Sequence, residues 1–315
     1  MVSIICLTYN HVKYVSHAIE GFLMQKTNFT FEILIHDDAS TDGTDQIIKE
    51  YALKYPDLFF PIYQSENQYS KGIRTIIATF VLPKCRGKYI ALCEGDDYWI
   101  DPLKLQKQVD FMESNLDYGL VYSKVKVYIE KEKRFKKHCF GKSISSVEDL
   151  LIGNQIPTPT VLFRQEMYFS YLEAIQPDQK HWLMGDYPLW LWISINSKIK
   201  FFDSIFSVYR VLESSAVHSL DFKKAILLVD SYHSIKLFYI RKLGYSHLEK
   251  KSWEFCFLGK ANAYIFMNEQ YISDLVRDIN DSNIRSLKIS IIKYFISYGF
   301  LRKILKLYWF RKANF

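Results

Sequence analysis

Hydrophobic and polar positions follow two periods in turn along residues 1–115. Val2–Leu7 is a short, almost continuous apolar run, the mark of a strand buried on both faces. His11–Gln25 then places Val15, Ala18, Ile19, Phe22 and Leu23 at helical spacing. Phe31–Ile35 returns to the strand pattern. Thr44–Tyr55, introduced by the turn dipeptide Asp42-Gly43, carries Ile47, Ile48, Tyr51 and Ala52 as a helix does. Phe59–Tyr63 predicts a third strand, Ile73–Leu82 a helix and Tyr89–Cys93 a fourth strand. Strands alternating with helices of this length predict right-handed βαβ units, hence an α/β fold with a mainly parallel sheet.

Beyond residue 115 the pattern is less regular. Tyr118–Ile129 alternates like an exposed or edge strand, and Lys131–Lys137 predicts a charged loop or hairpin. Thr160–Arg164 predicts a short strand, Tyr187–Asn196 a helix and Lys200–Val211 two strand pieces. From Asp221 onward the chain reads as helical, over Phe222–Leu243 and then about His247–Asn268, before a basic tail. Boundaries near residues 115 and 218 divide the chain into 1–115, 116–218 and 219–315.

Composition narrows the class. A chain of 315 residues with 23 Tyr and 23 Phe against 12 Gly and 8 Pro buries a core and is neither disordered nor fibrous. Its five cysteines, Cys6, Cys85, Cys93, Cys139 and Cys256, are scattered without a C-x-x-C. That usage predicts reduced, mostly buried thiols in a cytoplasmic protein. MVSIICLTYN lacks the basic segment that opens a signal peptide, and no run reaches the ~18 apolar residues of a membrane span. The net charge is +7, yet residues 285–315 carry eight basic residues and no acid. The body is therefore close to neutral and calls for no polyanion; nucleic acid is not an expected partner.

In an open parallel sheet, ligands bind outside the carboxyl ends of the strands. Three polar clusters fall there: Thr8-Tyr9-Asn10 with Lys13 beyond it, HDDASTDGT after the second strand, and EGDD (Glu94–Asp97) after the fourth. Carboxylates as close as Glu94, Asp96 and Asp97 raise one another's pKa unless a cation lies between them. Mg²⁺ takes one or two protein carboxylates and fills its other positions with water and substrate phosphates. The turn thus predicts a divalent cation carrying a diphosphate, the alternative being a solvated acidic turn ahead of a helix at Pro102. DDASTDGTD looks like a calcium loop, but its last ligand position, where a bidentate Glu belongs, is Lys49. It is better read as a strand-to-helix turn in which one Asp reaches a ligand and Ser40 or Asp42 caps the next helix.

SIICLTYNHVKYVSHAIEGFLMQ, FEILIHDDASTDGT and GKYIALCEGDDYWIDPLKLQKQ resemble, in wording, order and spacing, the successive signatures of family 2 glycosyltransferases. PTPTVLFR, GDYPLWLWIS and YRVLESSAVHS resemble more loosely the bacterial surface-polysaccharide members. The resemblance implies the GT-A fold, a Rossmann-like sheet flanked by helices, here with a helical C-terminal extension. It implies a nucleotide site at Thr8 and Asp38, the latter suited to accept from a uracil N–H. Asn10 and Lys13 would lie beside the base or phosphates, and Arg74 would reach a phosphate. EGDD falls at the family's D-x-D element, with Glu94 in place of the commoner Asp. Glu94 and Asp96 are then placed at the donor, and Asp97 is the direct ligand of Mn²⁺ or Mg²⁺, with Asp96 beside it and Trp99 packed under the turn. His218 stands where some relatives supply a third metal ligand, a structural histidine being the alternative. Asp186 matches the catalytic base, without the Glu that commonly precedes it; an N-cap for the helix at Tyr187 is a compatible second role.

The implied activity is an inverting, metal-dependent transfer of a sugar from a nucleotide diphosphate donor, UDP-sugar first, to a glycan or polyprenyl-linked acceptor. No Q-x-x-R-W occurs, so single additions are expected rather than processive synthesis. The rival classes are a non-catalytic nucleotide- or sugar-binding protein on the same scaffold and a nucleotidyltransferase. The latter needs a Gly-rich phosphate loop, and Thr8–Lys13 has no Gly. In the tail, Arg302, Lys303 and Lys306 fall on one side of a predicted helix, with Leu301, Ile304, Leu305 and Tyr308 mostly on the other. A helix of that kind lies in an anionic membrane interface and predicts a peripheral enzyme on the cytoplasmic face; docking on the protein body is the alternative.

Overall fold

A computed structural model describes residues 1–212, 222–267, 272–282 and 284–298. The candidate ligand His218 and the predicted tail helix around Arg302 lie outside the described residues. Met1–His181 with Gly185–Val211 form one compact unit; Trp182–Met184 with the described part of Leu212–Phe315 form a second.

The first unit begins β1 (Val2–Thr8), α1 (Val15–Leu23), β2 (Phe31–Asp37), α2 (Thr44–Lys54), β3 (Phe59–Tyr63) and β4 (Tyr89–Leu92). β1 pairs in parallel with both β2 and β4, and β2 with β3. The runs of Val and Ile are buried on both faces, as covered parallel strands require, and α1 lays Val15, Ala18, Ile19 and Phe22 against them. The helix expected over Ile73–Leu82 is instead a π-helical turn, Ile77–Val81, closing in a 3₁₀ turn, Leu82–Lys84. Its β-branched residues are weak α-formers, and Pro83 has no N–H with which to continue a ladder.

The chain continues through β5 (Tyr98–Trp99), α3 (Lys104–Ser114), β6 (Tyr118–Ile129), β7 (Arg134–Phe135), α4 (Val147–Ile152), β8 (Leu162–Arg164), α5 (Gln165–Ile175), α6 (Asp186–Asn196) and β9 (Lys198–Val211). All nine strands among the described residues join one mixed sheet in the order β3-β2-β1-β4-β8-β6-β9-β5, with β7 paired to β6. β6 is therefore interior and not an edge. Its polar Lys124, which gave it an edge-like alternation, pairs with Asp203 of β9. The two strand pieces expected over Lys200–Val211 are one strand whose register against β6 shifts near Lys124, opposite the exposed Asp203 and Ser204.

β5 is short but fixed. The Trp99 indole is 2% exposed, meets Phe22 edge-on at 4.9 Å and donates from Nε1 to Pro159 O at 2.8 Å. A Cβ at Gly21 would stand 2.9 Å from Trp99 N, so only glycine lets α1 approach this closely. Lys104 is buried with Nζ 4.1 Å from the Trp99 ring and 2.8 Å from Gln108 Oε1; burial lowers its pKa to about 7.

The second unit contains α7 (Phe222–Lys242), α8 (Glu249–Met267), α9 (Ile272–Asp281) and α10 (Leu287–Ser297). Phe257 and Ala261 of α8, Leu275 and Ile279 of α9, and Ile289, Ile292 and Ile296 of α10 share one apolar core. No helix among the described residues is long and apolar enough to cross a membrane.

Candidate functional site

The carboxyl ends of β1, β2 and β4 lie side by side, which gathers the three polar clusters at one rim of the sheet. The 94–97 turn is packed directly on β1: Gly95 N donates to Leu7 O at 2.9 Å, and Asp97 N donates to Glu94 O at 3.1 Å. A Cβ at Gly95 would lie 2.5 Å from Thr8 Cγ2 and 2.9 Å from His11 Nδ1. The turn therefore admits no other residue there without moving β1 or His11. His11 Nδ1 is buried without a hydrogen-bond partner, and burial lowers its pKa.

The far side of the turn is held by β9. Arg210 N donates to Asp97 Oδ1 at 2.7 Å, and Arg210 Nε donates to Asp96 O at 2.8 Å. The same guanidinium binds Glu130 Oε2 at 2.9 Å and lies 4.8, 5.3 and 5.6 Å from the ring centroids of Tyr14, Tyr98 and Tyr128. Asp97 is thus buried and anchored through Oδ1, whereas the carboxylates of Glu94 and Asp96 make no hydrogen bond among the described residues. Burial, then repulsion from Asp96, raises the Asp97 pKa well above the carboxylate range. Glu94 is exposed to solvent at the turn. Partial desolvation of its carboxyl by the surrounding protein, then the fields of Asp96 and Asp186, raise its pKa.

Asp186 faces the same crevice from the other half of the sheet. It is the first residue of α6, with Gly185 in the N-cap position, so the cap role expected of Asp186 falls one residue earlier. Its Oδ1 accepts from Tyr187 N and its Oδ2 from Thr158 Oγ1, both at 2.7 Å. Two hydrogen bonds leave the carboxylate fixed in direction, with a lone pair on each oxygen still available.

The other expected site residues divide. Thr8 is buried and spends its hydroxyl on Asp37 Oδ1 (3.0 Å) and His36 O (3.2 Å). Both Asp38 oxygens accept backbone N–H groups, from Gln68 at 2.8 Å and Tyr69 at 3.0 Å, so Asp38 organises the 67–69 turn. Asn10, at φ 56°, ties the first two strand ends together through Ser40 Oγ and Thr41 N. Neither Ser40 nor Asp42 is the N-cap of α2. Gly43 is, and Asp42 serves Thr44 N from one residue further back. The Arg74 guanidinium lies over the Tyr69 ring, 4.0 Å from its centroid, and donates to Tyr69 O. Lys13 is exposed and makes no ion pair among the described residues.

Sequence reasoning passed over Arg210, Glu130, Thr158 and His11. Besides His11 in SIICLTYNHVKYVSHAIEGFLMQ, two of them lay inside quoted segments, Arg210 in YRVLESSAVHS and Thr158 in PTPTVLFR. What was missing was the contact each makes with a distant acid.

The family model described as glycosyl transferase family 2 matches residues 3–173. The chain belongs to that family. Among its relatives, an uncharacterized Mycobacterium tuberculosis protein, Rv1520, is 40% identical over 175 residues, which is 55% of this chain and 49% of that protein. The chain thus spans about half the length of the mycobacterial relatives it matches. The putative glycosyltransferase EpsE of Bacillus subtilis is 30% identical over 213 residues, 68% of this chain and 70% of that one. Two solved structures share the fold. S. aureus TarS, solved with UDP-GlcNAc, has a TM-score of 0.54 at 17% identity over 93% of this chain and 89% of its own. The Pyrobaculum calidifontis mannosyltransferase PcManGT, solved with GDP-Man and Mn²⁺, has a TM-score of 0.53 at 16% identity over 99% and 85%. The α/β sheet described here is accordingly the GT-A type.

Proposed function

We propose that this family 2 member is an inverting glycosyltransferase that moves a sugar from a nucleoside diphosphate to an acceptor hydroxyl. One observation carries the reading: the acids of the 94–97 turn and Asp186, from opposite halves of the sheet, face one crevice closely enough that Glu94 feels both Asp96 and Asp186. UDP-GlcNAc in TarS and GDP-Man in PcManGT support a sugar nucleotide as donor, UDP or GDP being the classes to test first.

In this reading Asp186 takes the proton of the attacking hydroxyl, which the hydrogen bonds from Thr158 and Tyr187 N to its carboxylate support by fixing its direction. Attack from its side with departure of the diphosphate toward the 94–97 turn is a single displacement, which inverts the anomeric centre. Among the described residues no three His, Cys, Asp or Glu side chains form a ready-made metal cage. The donor set fits a hard cation shared with a substrate: Asp96 has an uncommitted carboxylate, Asp97 has Oδ2 to spare, and their crowding is relieved by positive charge. Held by Asp96 and Asp97, Mn²⁺ or Mg²⁺ would supply charge opposite the departing diphosphate. Asp38 and Asn10, which shape the rim beside it, would border the nucleotide.

A peripheral attachment to anionic membrane is part of the proposal. α10 buries Ile289, Ile292 and Ile296, while Leu287, Ile291, Tyr294 and Tyr298 stand exposed on its other side near Arg285, Lys288 and Lys293. An apolar stripe edged by cations suits a lipid interface, and so a lipid-linked acceptor. Sedimentation with phosphatidylglycerol vesicles, but not phosphatidylcholine vesicles, is the expected result; equal retention by neither or both sinks this part.

The enzymatic test is release of nucleoside diphosphate from UDP-sugars and GDP-mannose with Mn²⁺. Release abolished by EDTA and by Asp186→Asn, with UDP–Mn²⁺ binding kept by that variant, is expected. Release indifferent to both treatments overturns the reading.

A further inference from the structure

Tyr209 lies on β9 next to Arg210. Successive side chains of a strand point to opposite faces, so on β9 Val208 and Arg210 share one face while Ser207 and Tyr209 share the other. Arg210 reaches under the acidic turn to Asp96 O and Glu130. Ser207 Oγ donates to Pro159 O at 2.8 Å, one residue from Thr158, whose hydroxyl holds Asp186. Tyr209 therefore occupies the face that carries the base, immediately before the amide that anchors Asp97. Its ring is half-buried and its hydroxyl makes no hydrogen bond among the described residues. Burial and the fields of Asp97, Glu94, Asp96 and Asp186 raise its pKa, so it remains a neutral phenol that can donate.

We propose that Tyr209 holds the sugar being transferred, its hydroxyl donating to an oxygen of the glycosyl unit between the acidic turn and Asp186. This rests on the transferase reading and adds to it the residue that grips the reacting unit. Glu94, Asp96, Asp97 and Asp186, whose fields reach Tyr209, are carboxylates, which accept hydrogen bonds and cannot donate them when ionised beside a bound cation. A phenol supplies the missing donor, and its ring offers an apolar face to the C–H side of a pyranose. The reading places the donor's diphosphate at the turn and the acceptor hydroxyl at Asp186. The atoms that pass between the two are those of the sugar.

The test is Tyr209→Phe in the full chain, which keeps the ring and removes the hydroxyl. With Mn²⁺ and UDP-GlcNAc or GDP-mannose, kcat/KM falls about tenfold, the worth of one hydrogen bond. The Kd of UDP or GDP with Mn²⁺, ligands that carry no sugar, stays unchanged. A variant that turns over like the natural protein overturns the proposal and leaves the transferase reading intact. So does a parallel loss of nucleotide affinity, which is the mark of a merely structural role. A natural protein that releases nucleotide from neither donor overturns both.

Discussion

Arg210 N donates to Asp97 Oδ1 at 2.7 Å across a sequence separation of 113 residues. The acidic turn is thus gripped by the main chain of β9, while the Arg210 side chain makes a separate set of bonds to Asp96 O and Glu130. The two contributions separate by mutation. Arg210→Met leaves the amide in place but removes the guanidinium from the Asp96 carbonyl and from Glu130, which keeps its pair with Lys133. A loss of about 1–2 kcal/mol is expected in urea denaturation. A loss below ~0.5 kcal/mol would show that the guanidinium is not holding the turn.

Thr158 and Asp186 give a second separable pair. Asp186→Asn removes the proposed base and is expected to lower turnover by about 10²–10⁴. Thr158→Val keeps the carboxylate and removes one of its two orienting bonds, for a decrease of about tenfold. Equal damage from the two substitutions in steady-state kinetics would mean that Asp186 acts only as a structural partner of Thr158.

Gly95→Ala tests the packing of the turn without touching any acid. The added methyl meets Thr8 Cγ2 and His11 Nδ1, so the turn must shift. Overpacking of this kind costs about 1–3 kcal/mol. Calorimetric titration of UDP with Mn²⁺ is expected to show the larger effect, because Asp96 and Asp97 move with the turn. Native affinity in this variant would uncouple the turn from the nucleotide.

Lys104 links pH to stability. Burial lowers its pKa to about 7, so between pH 7 and its ordinary value of 10.5 the unfolded chain binds a proton that the folded chain has released. Stability therefore rises with pH across that window. Below pH 7 the folded chain must keep the buried ammonium charged, and the full penalty applies. Relative to Lys104→Met, the natural protein gains on the order of 3 kcal/mol between pH 7 and pH 9. Parallel pH profiles for the two in chemical denaturation would mean that Lys104 stays charged when buried.

The strands at the start of the chain were legible because each is a compact apolar run followed by turn chemistry, and β1, β2 and β3 fall where the runs do. α3 was harder to see: its inward face carries Lys104 and Gln108 beside Leu105, Val109 and Met112, so the apolar stripe is broken by polar residues that satisfy each other. β6 looked like an edge for a related reason, since Lys124 finds Asp203 across the sheet. At the site, the clusters at the strand ends could be read from residue type and position alone. Their supports could not. A backbone amide such as that of Arg210 has no signature in its side chain, and Thr158 is one threonine of two in PTPT until the fold puts Asp186 beside it.

Arg210 N is also made late. A nascent chain that has emerged only as far as residue 115 already holds β1 to β4 and every acid of the turn, but not the amide that fixes Asp97. Completion of the crevice must await closure of the long loop to β9, a non-local event of the kind that slows folding. A fragment confined to the conspicuous motifs would carry the negative charge of this protein's rim and lack the hand that steadies it.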